Sequence, residues 1–237
     1  MLPVRWEPGE ALHQWAQEET NCVLRSSEEI EFAAQTLLSI GLPLHSDRAK
    51  NWDNLIAILQ VLRSTSLQTP VLDAGSELYS KFLPGLRRLG YVDLTGINIA
   101  FQNQGRIDDI FYRPGDITAS DLPSSYFGFI SCLSVVEHGV NLLEFFKEQA
   151  RLLRENGRLF VSTDYWPSMV DTKGLRAYGV PIRIFDQPSI KSMIQLAANF
   201  GLVLDKEMDL TAHQRVVHWG EFGLRYTFVN LLWRKCS

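Results

Sequence analysis

Val71-Leu72-Asp73-Ala74-Gly75-Ser76 is a short apolar run that ends in an acid and a glycine. Such a run reads as a buried parallel strand whose C-terminal edge opens into a turn and a helix. Asp73 is too polar to end a core strand without cause, and Gly75 lets a ligand come close to the backbone. In open α/β sheets small molecules bind at that edge, so the segment points to a nucleotide-like ligand. Two later runs also end in groups that move protons. His138 follows the apolar stretch 127–133, and Asp164 follows 158–163 and precedes Tyr165 and Trp166. An imidazole titrates near working pH and suits proton removal from an acceptor. A carboxylate followed by two rings suits a polar acceptor such as a sugar or phenol, with the rings covering its apolar face. Each has a plainer reading: His138 bracing the loop to Asn141, and Asp164 capping a loop whose rings belong to the core.

The turn after the first strand limits what it holds. A dinucleotide fold needs three glycines there, because a pyrophosphate lies against the helix N-terminus. Here Glu77 and Ser80 stand where the second and third would be. A carboxylate at Glu77 would repel a pyrophosphate, which argues against NAD. Ser76 and Glu77 also read as a helix cap and a dipole-compensating acid. His213 and His218 lack the i, i+4 spacing of a helical zinc site, and Cys22, Cys132 and Cys236 have no Cys-x-x-Cys spacing. No metal and no disulfide framework are expected. Lys50 and Trp52 begin the helix before the first strand, where they could close over a ligand; solvent contact and core packing explain them equally well.

The elements that position these groups follow from periodicity. Residues 1 to about 69 read as a helical extension. Ser26 with Glu29 makes a capping-box pair ahead of Ile30, Phe32, Ala33, Leu37 and Leu38, and Gly41 closes that helix. Asn51 caps a second, with Leu55, Ile58, Leu59 and Leu62 at helical spacing. Strands are predicted near 71–73, 92–97, 107–112, 127–133, 158–163, 202–207 and 224–233, the first five on one side of a parallel sheet. A helix over about 142–155 has Asn141 and Glu144 as its cap and Gly157 as its exit, and another begins near Pro188. Two long excursions, about 164–187 and 208–223, read as lids or binding segments. The 237 residues, 46% hydrophobic, bury one substantial core. A net charge of −4 gives no broad capture of nucleic acid. Arg5, Glu7 and Glu10 leave no apolar leader, and no stretch reaches membrane-spanning length. A cytoplasmic protein without membrane or nucleic-acid partner is expected, its oligomeric state open.

In order and spacing, five segments resemble the motifs of class I S-adenosylmethionine-dependent methyltransferases. Residues 71–76 look like the first motif, and Thr95-Gly96-Ile97-Asn98 like the end of the second strand. Gly115-Asp116-Ile117-Thr118 looks like the third motif, Ser134-Val135-Val136-Glu137-His138 like the close of the fourth strand, and 151–159 like the approach to the fifth. The resemblance covers roughly residues 50–235. It implies an α/β fold, a doubly wound, seven-stranded, mostly parallel Rossmann-like sheet over 70–237, with residues 1–69 packed on it. It implies S-adenosylmethionine as cofactor, held by Asp73, Ala74, Gly75, Ser76, Glu77, Asn98, Asp116, Ile117, Leu133 and Ser134. His138 and Asp164 would then be catalytic, with Tyr165 and Trp166 against a small-molecule acceptor. The expected reaction is O-methylation of a sugar or similar hydroxyl. The chain departs from the family pattern at Asn98, where an acid usually holds the ribose hydroxyls, at a cost of ~1 kcal/mol. Glu77 stands for a glycine, and Gly128 for an acid. A degenerate, non-catalytic domain is the alternative reading, and a nicotinamide-dependent oxidoreductase the third.

Overall fold

The computed structural model describes residues 7–236; residues 1–6 of the expected extension, Arg5 among them, lie outside it. Three helices come first: α1 (Glu10–Glu18), α2 (Ser27–Ser39) and α3 (Lys50–Ser64). Then follow β1 (Val71–Ala74), α4 (Phe82–Arg88), β2 (Leu94–Asn98), β3 (Gly105–Ile107), β4 (Ile110–Pro114), β5 (Phe127–Leu133), α5 (Leu142–Leu152) and β6 (Leu153–Tyr165). The chain ends with β7 (Arg176–Ala177), β8 (Val180–Pro181), α6 (Gln187–Ala198), β9 (Leu202–Leu204), β10 (Val217–Trp219) and β11 (Leu224–Lys235).

The sheet runs β10-β11-β6-β5-β1-β2-β4-β3, with β9 also paired to β11. Strands β4, β2, β1, β5 and β6 are mutually parallel, and β11 enters antiparallel beside β6. The α/β, doubly wound class is therefore as expected, but the sheet has nine strands rather than seven. The two additions are short. The predicted strand 107–112 is a hairpin of β3 and β4, turned by Asp108 and Asp109 at φ 49° and 65°, the left-handed pair a two-residue hairpin turn requires. Likewise β10 is folded back onto the start of β11 through the turn at Gly220–Gly223.

Strand order reverses at β1, which has β2 on one side and β5 on the other. Chain leaving the C-terminal edge there parts in two directions and leaves a crevice. The core lies on both faces. On one, α3 is buried from Asn51 to Leu62 and packs with Val71, Phe129, Phe160 and Phe228. On the other, Phe145 and Phe146 of α5 and Ile190 and Met193 of α6 cover Leu72, Ile130, Val161 and Trp233.

Local signals held in part. Asn141 caps α5 by accepting from the Leu143 and Glu144 amides, and Asp186 caps α6, with Pro188 in its first turn. The Ser26–Glu29 box does not form: Glu29 accepts instead from the Arg25 amide and guanidinium, each at 2.8 Å. A charged donor outcompetes the Ser26 amide for that carboxylate. Nor does Asn51 cap α3, which starts one residue earlier; its Oδ1 accepts from the His45 amide. Helix α5 ends at Leu152, not near 155, and Gly157 lies inside β6 at a register shift against β5. A Cβ on Gly157 would come within 2.8 Å of the Arg154 carbonyl oxygen, so glycine serves a bulge there, not a helix exit.

Candidate active site

The end of β1 has the geometry its sequence implied. Asp73 is 2% exposed and accepts from Ser131 Oγ at 2.7 Å, across the β1–β5 pairing. Burial pushes its carboxyl up to about 6, against the pull of the Ser131 bond. Gly75 turns the chain at φ 86°, and the Gly75 and Ser76 amides both donate to the Ile97 carbonyl of β2. The glycine also meets a second demand, because a Cβ there would lie 2.6 Å from Val135 Cγ2. The loop after β5 thus packs directly on the bend, and Ala74 beneath it is wholly buried.

At the end of β2, Asn98 is committed to the chain. Its Nδ2 donates to the Ser76 carbonyl at 2.9 Å and to Glu77 Oε1 at 3.0 Å, and its Oδ1 accepts from the Ala100 amide. Asn98 thereby brings the Glu77 carboxylate to the strand end where β2 supplies none of its own. Asp116 is exposed, and its Oδ1 accepts from the Thr118 amide and hydroxyl, an Asx turn. Ile117 is packed into the core with Ala74, Ile97 and Val136.

A third group gathers at the ends of β5 and β6. Leu133 closes β5 half-buried, and Ser134 follows at φ 53° with its hydroxyl against Lys50 Nζ. That ammonium also stands 4.2 Å from the centre of the Phe228 ring. Glu137 is buried and accepts from Thr163 Oγ1 at 2.9 Å. Asp164, equally buried, lies beside the Tyr226 hydroxyl. Burial and then the Glu137 charge push the Asp164 carboxyl well up, opposed by Lys50 and the Tyr226 hydroxyl. Burial raises Glu137 too. His138 is half-buried, its ring edge-on to Tyr178 at 5.0 Å, and its Nδ1 is buried without a partner. Burial, then Lys50, pulls its imidazole down to about 4, so it is neutral at physiological pH.

The two aromatics part company. Tyr165 is fully buried and its hydroxyl donates to the Leu210 carbonyl at 2.9 Å. Strand alternation turns it to the face opposite Asp164, and it is core, not a substrate contact. Trp166 stays half-buried at the rim under the Arg215 guanidinium, 4.5 Å from the ring centre. The glycine at 128 is explained by packing, since a Cβ would lie 2.3 Å from Thr69 Cγ2.

Several residues here escaped the reading of motifs. Ser131 interrupts the apolar run 127–133, and that interruption was the available signal; Asp53 and Tyr226 stand among polar neighbours and carried none. Asp53, on α3, accepts from Ser162 Oγ at 2.6 Å and is pushed up to about 6 by burial, opposed by Lys50. Tyr112 lies against Gly96, the register partner of Asp73; a Cβ on Gly96 would come 2.7 Å from its ring.

A family model described as a methyltransferase domain matches residues 44–207. No match to a curated protein sequence is found. Among solved structures, the fold is similar to the YcgJ protein of Bacillus subtilis (TM-score 0.58, 12% identity, 78% of this chain and 98% of that one). It is similar to an S-adenosylmethionine-dependent methyltransferase of Mesorhizobium loti (TM-score 0.55, 14% identity, 78% and 98%). A geranyl diphosphate C-methyltransferase of Streptomyces coelicolor gives a TM-score of 0.53 at 15% identity over 84% and 87% of the two chains. At these identities the likeness is one of fold. The family model, however, runs from ahead of α3 to beyond β9 and takes in the bend at Gly75 and the ends of β2, β5 and β6. The chain therefore belongs to the class I S-adenosylmethionine-dependent methyltransferase family.

Proposed function

We propose that this methyltransferase moves the methyl group of S-adenosylmethionine to a hydroxyl of a small molecule, with a sugar-type acceptor as the specific expectation. The observation that carries the reading is that Asp164 at the end of β6 and His138 after β5 both lie within reach of the Lys50 charge, one strand from the bend at Gly75. The side chains present suit the donor. Asp73 and the turn through Ser76 offer acceptors for an ammonium. Glu77, held by Asn98, offers a carboxylate for a ribose diol, so the substitution at Asn98 is answered from the neighbouring turn. The His138 Nδ1, buried and unpartnered, is the orphan a bound polar ligand would satisfy.

When bound, the donor supplies an activated methyl group on a cationic sulfur, and the protein's task is alignment and proton removal. Asp164 is the proton acceptor in this reading: its raised basicity lies closer to a hydroxyl's needs than an ordinary carboxylate's. Neutral His138 accepts a hydrogen bond from the acceptor and orients it. The β7–β8 hairpin, whose Tyr178 meets His138 and whose Val180 packs on Gly139, covers that side and excludes water. Trp166 lines the rim, and Leu133 and Ser134 flank the donor's methionine chain.

A second reading rests on Val135, which covers Gly75, and on Asn98, whose amide is already spent: a domain that keeps the fold and binds no donor. Titration calorimetry with S-adenosylmethionine, S-adenosylhomocysteine and NAD separates the two. Saturable binding of both sulfur nucleosides, with none of NAD, is expected. Silence from all three would leave the degenerate domain standing. Turnover of a nucleotide-sugar panel by the same preparation then tests the acceptor class.

A further inference from the structure

Three carboxylates, Asp53 on α3, Glu137 after β5 and Asp164 at the end of β6, are 0%, 2% and 3% exposed. Hydroxyls donate to two of them, Ser162 to Asp53 and Thr163 to Glu137, and the Tyr226 hydroxyl lies beside Asp164. Lys50 is the cation whose charge acts on all three. It is held to the Ser134 hydroxyl and the Phe228 ring, and among the described residues it forms an ion pair with none of them. Asp47, in the loop before α3, adds further negative charge, and His138 is neutral.

A buried site with more acids than bases is costly by itself and is relieved by an incoming cation. The amino acid end of the donor carries the same charges before and after transfer. Only the sulfur changes, from a sulfonium to a neutral thioether. We infer that Asp53, Glu137 and Asp164, incompletely offset by Lys50, form a cation-selecting element that favours the sulfonium of the donor over the thioether left after transfer. The inference rests on the donor reading above and assigns these acids a task beyond proton removal: they loosen the product once the methyl group has gone.

Three ligands read this out by calorimetry at pH 8. S-adenosylmethionine and sinefungin carry a positive charge at the reacting position, and S-adenosylhomocysteine does not. The wild-type chain is expected to bind both cationic ligands about tenfold or more tighter than the thioether, the scale of one unit charge facing a buried acid at intermediate dielectric. Glu137→Gln and Asp53→Asn each keep shape and an oxygen for the Thr163 or Ser162 hydroxyl. Each should cut that preference about fivefold, with thioether affinity held within about twofold. A wild-type preference near one overturns the inference even if neither variant folds. So does a preference that survives both substitutions, or one for S-adenosylmethionine that sinefungin does not share, which would trace it to the methyl group's bulk. Failure of the wild type to bind any of the three defeats the donor reading and this inference together. Binding without preference defeats only the inference.

Discussion

Asp73 shows how one residue can trade stability for a site. Its side chain is buried with a single hydroxyl bond from Ser131, and its carboxyl is raised from 3.8 to about 6. A carboxyl raised in the folded state binds its proton more tightly there than in the unfolded chain. The stability that the protonated form contributes is full below about pH 4 and lost as pH rises through about 6. A shift of that size corresponds to about 3 kcal/mol. Asp73→Asn should therefore be more stable than wild type by up to about 3 kcal/mol at pH 8 and equal to it near pH 4, as followed by urea unfolding. It should also lose affinity for S-adenosylmethionine. A stability difference independent of pH would show that Asp73 is not a buried charge in solution. This acid was legible in the sequence because it closes an apolar strand. Its partner Ser131 was not, because pairing across strands depends on register, which a single strand does not carry.

The elements divide along the same line. Asn141 was read as a cap and is one, since a cap needs only the next three residues. Ser26 has the same spacing to its glutamate, but makes no side-chain cap bond because Arg25 claims Glu29. Asn141→Ala should cost about 1 kcal/mol of unfolding free energy, and Ser26→Ala at most a few tenths, by chemical denaturation. Equal losses would mean that the Ser26 cap forms in solution. Gly157 failed for a related reason. A glycine after a helical pattern reads as an exit, but the bulge that uses this one exists only through pairing with β5. Tyr165 and Trp166 are neighbours in sequence, yet alternation along β6 and its extension buries one and leaves the other at the rim.

At the scale of the molecule, the crevice is a consequence of strand order. β1 is the point of reversal, and the groups of the candidate site are drawn from several elements: α3, β1 and the turn after it, the end of β2, the ends of β5 and β6, and β11. A ligand bridging these elements binds the folded chain alone, so it should stabilise the whole cooperative unit. S-adenosylhomocysteine at a hundred times its dissociation constant should add about 2.7 kcal/mol to unfolding, seen as a rise in melting temperature that NAD does not give. A rise with NAD alone would reassign the crevice. Among the described residues no helix is long and apolar enough to cross a membrane.

By itself the sequence determined the alternation of strands and helices, the bend at Gly75 and the acid beneath it, because apolar periodicity, glycine's left-handed freedom and a misplaced charge are local properties. Only the tertiary structure decided that Lys50 meets Ser134 and Phe228, that Asn98 serves Glu77, and that Tyr165 is core. Those contacts join residues far apart along the chain, and they exist only once strand order and register have brought the ends of the parallel strands to one edge.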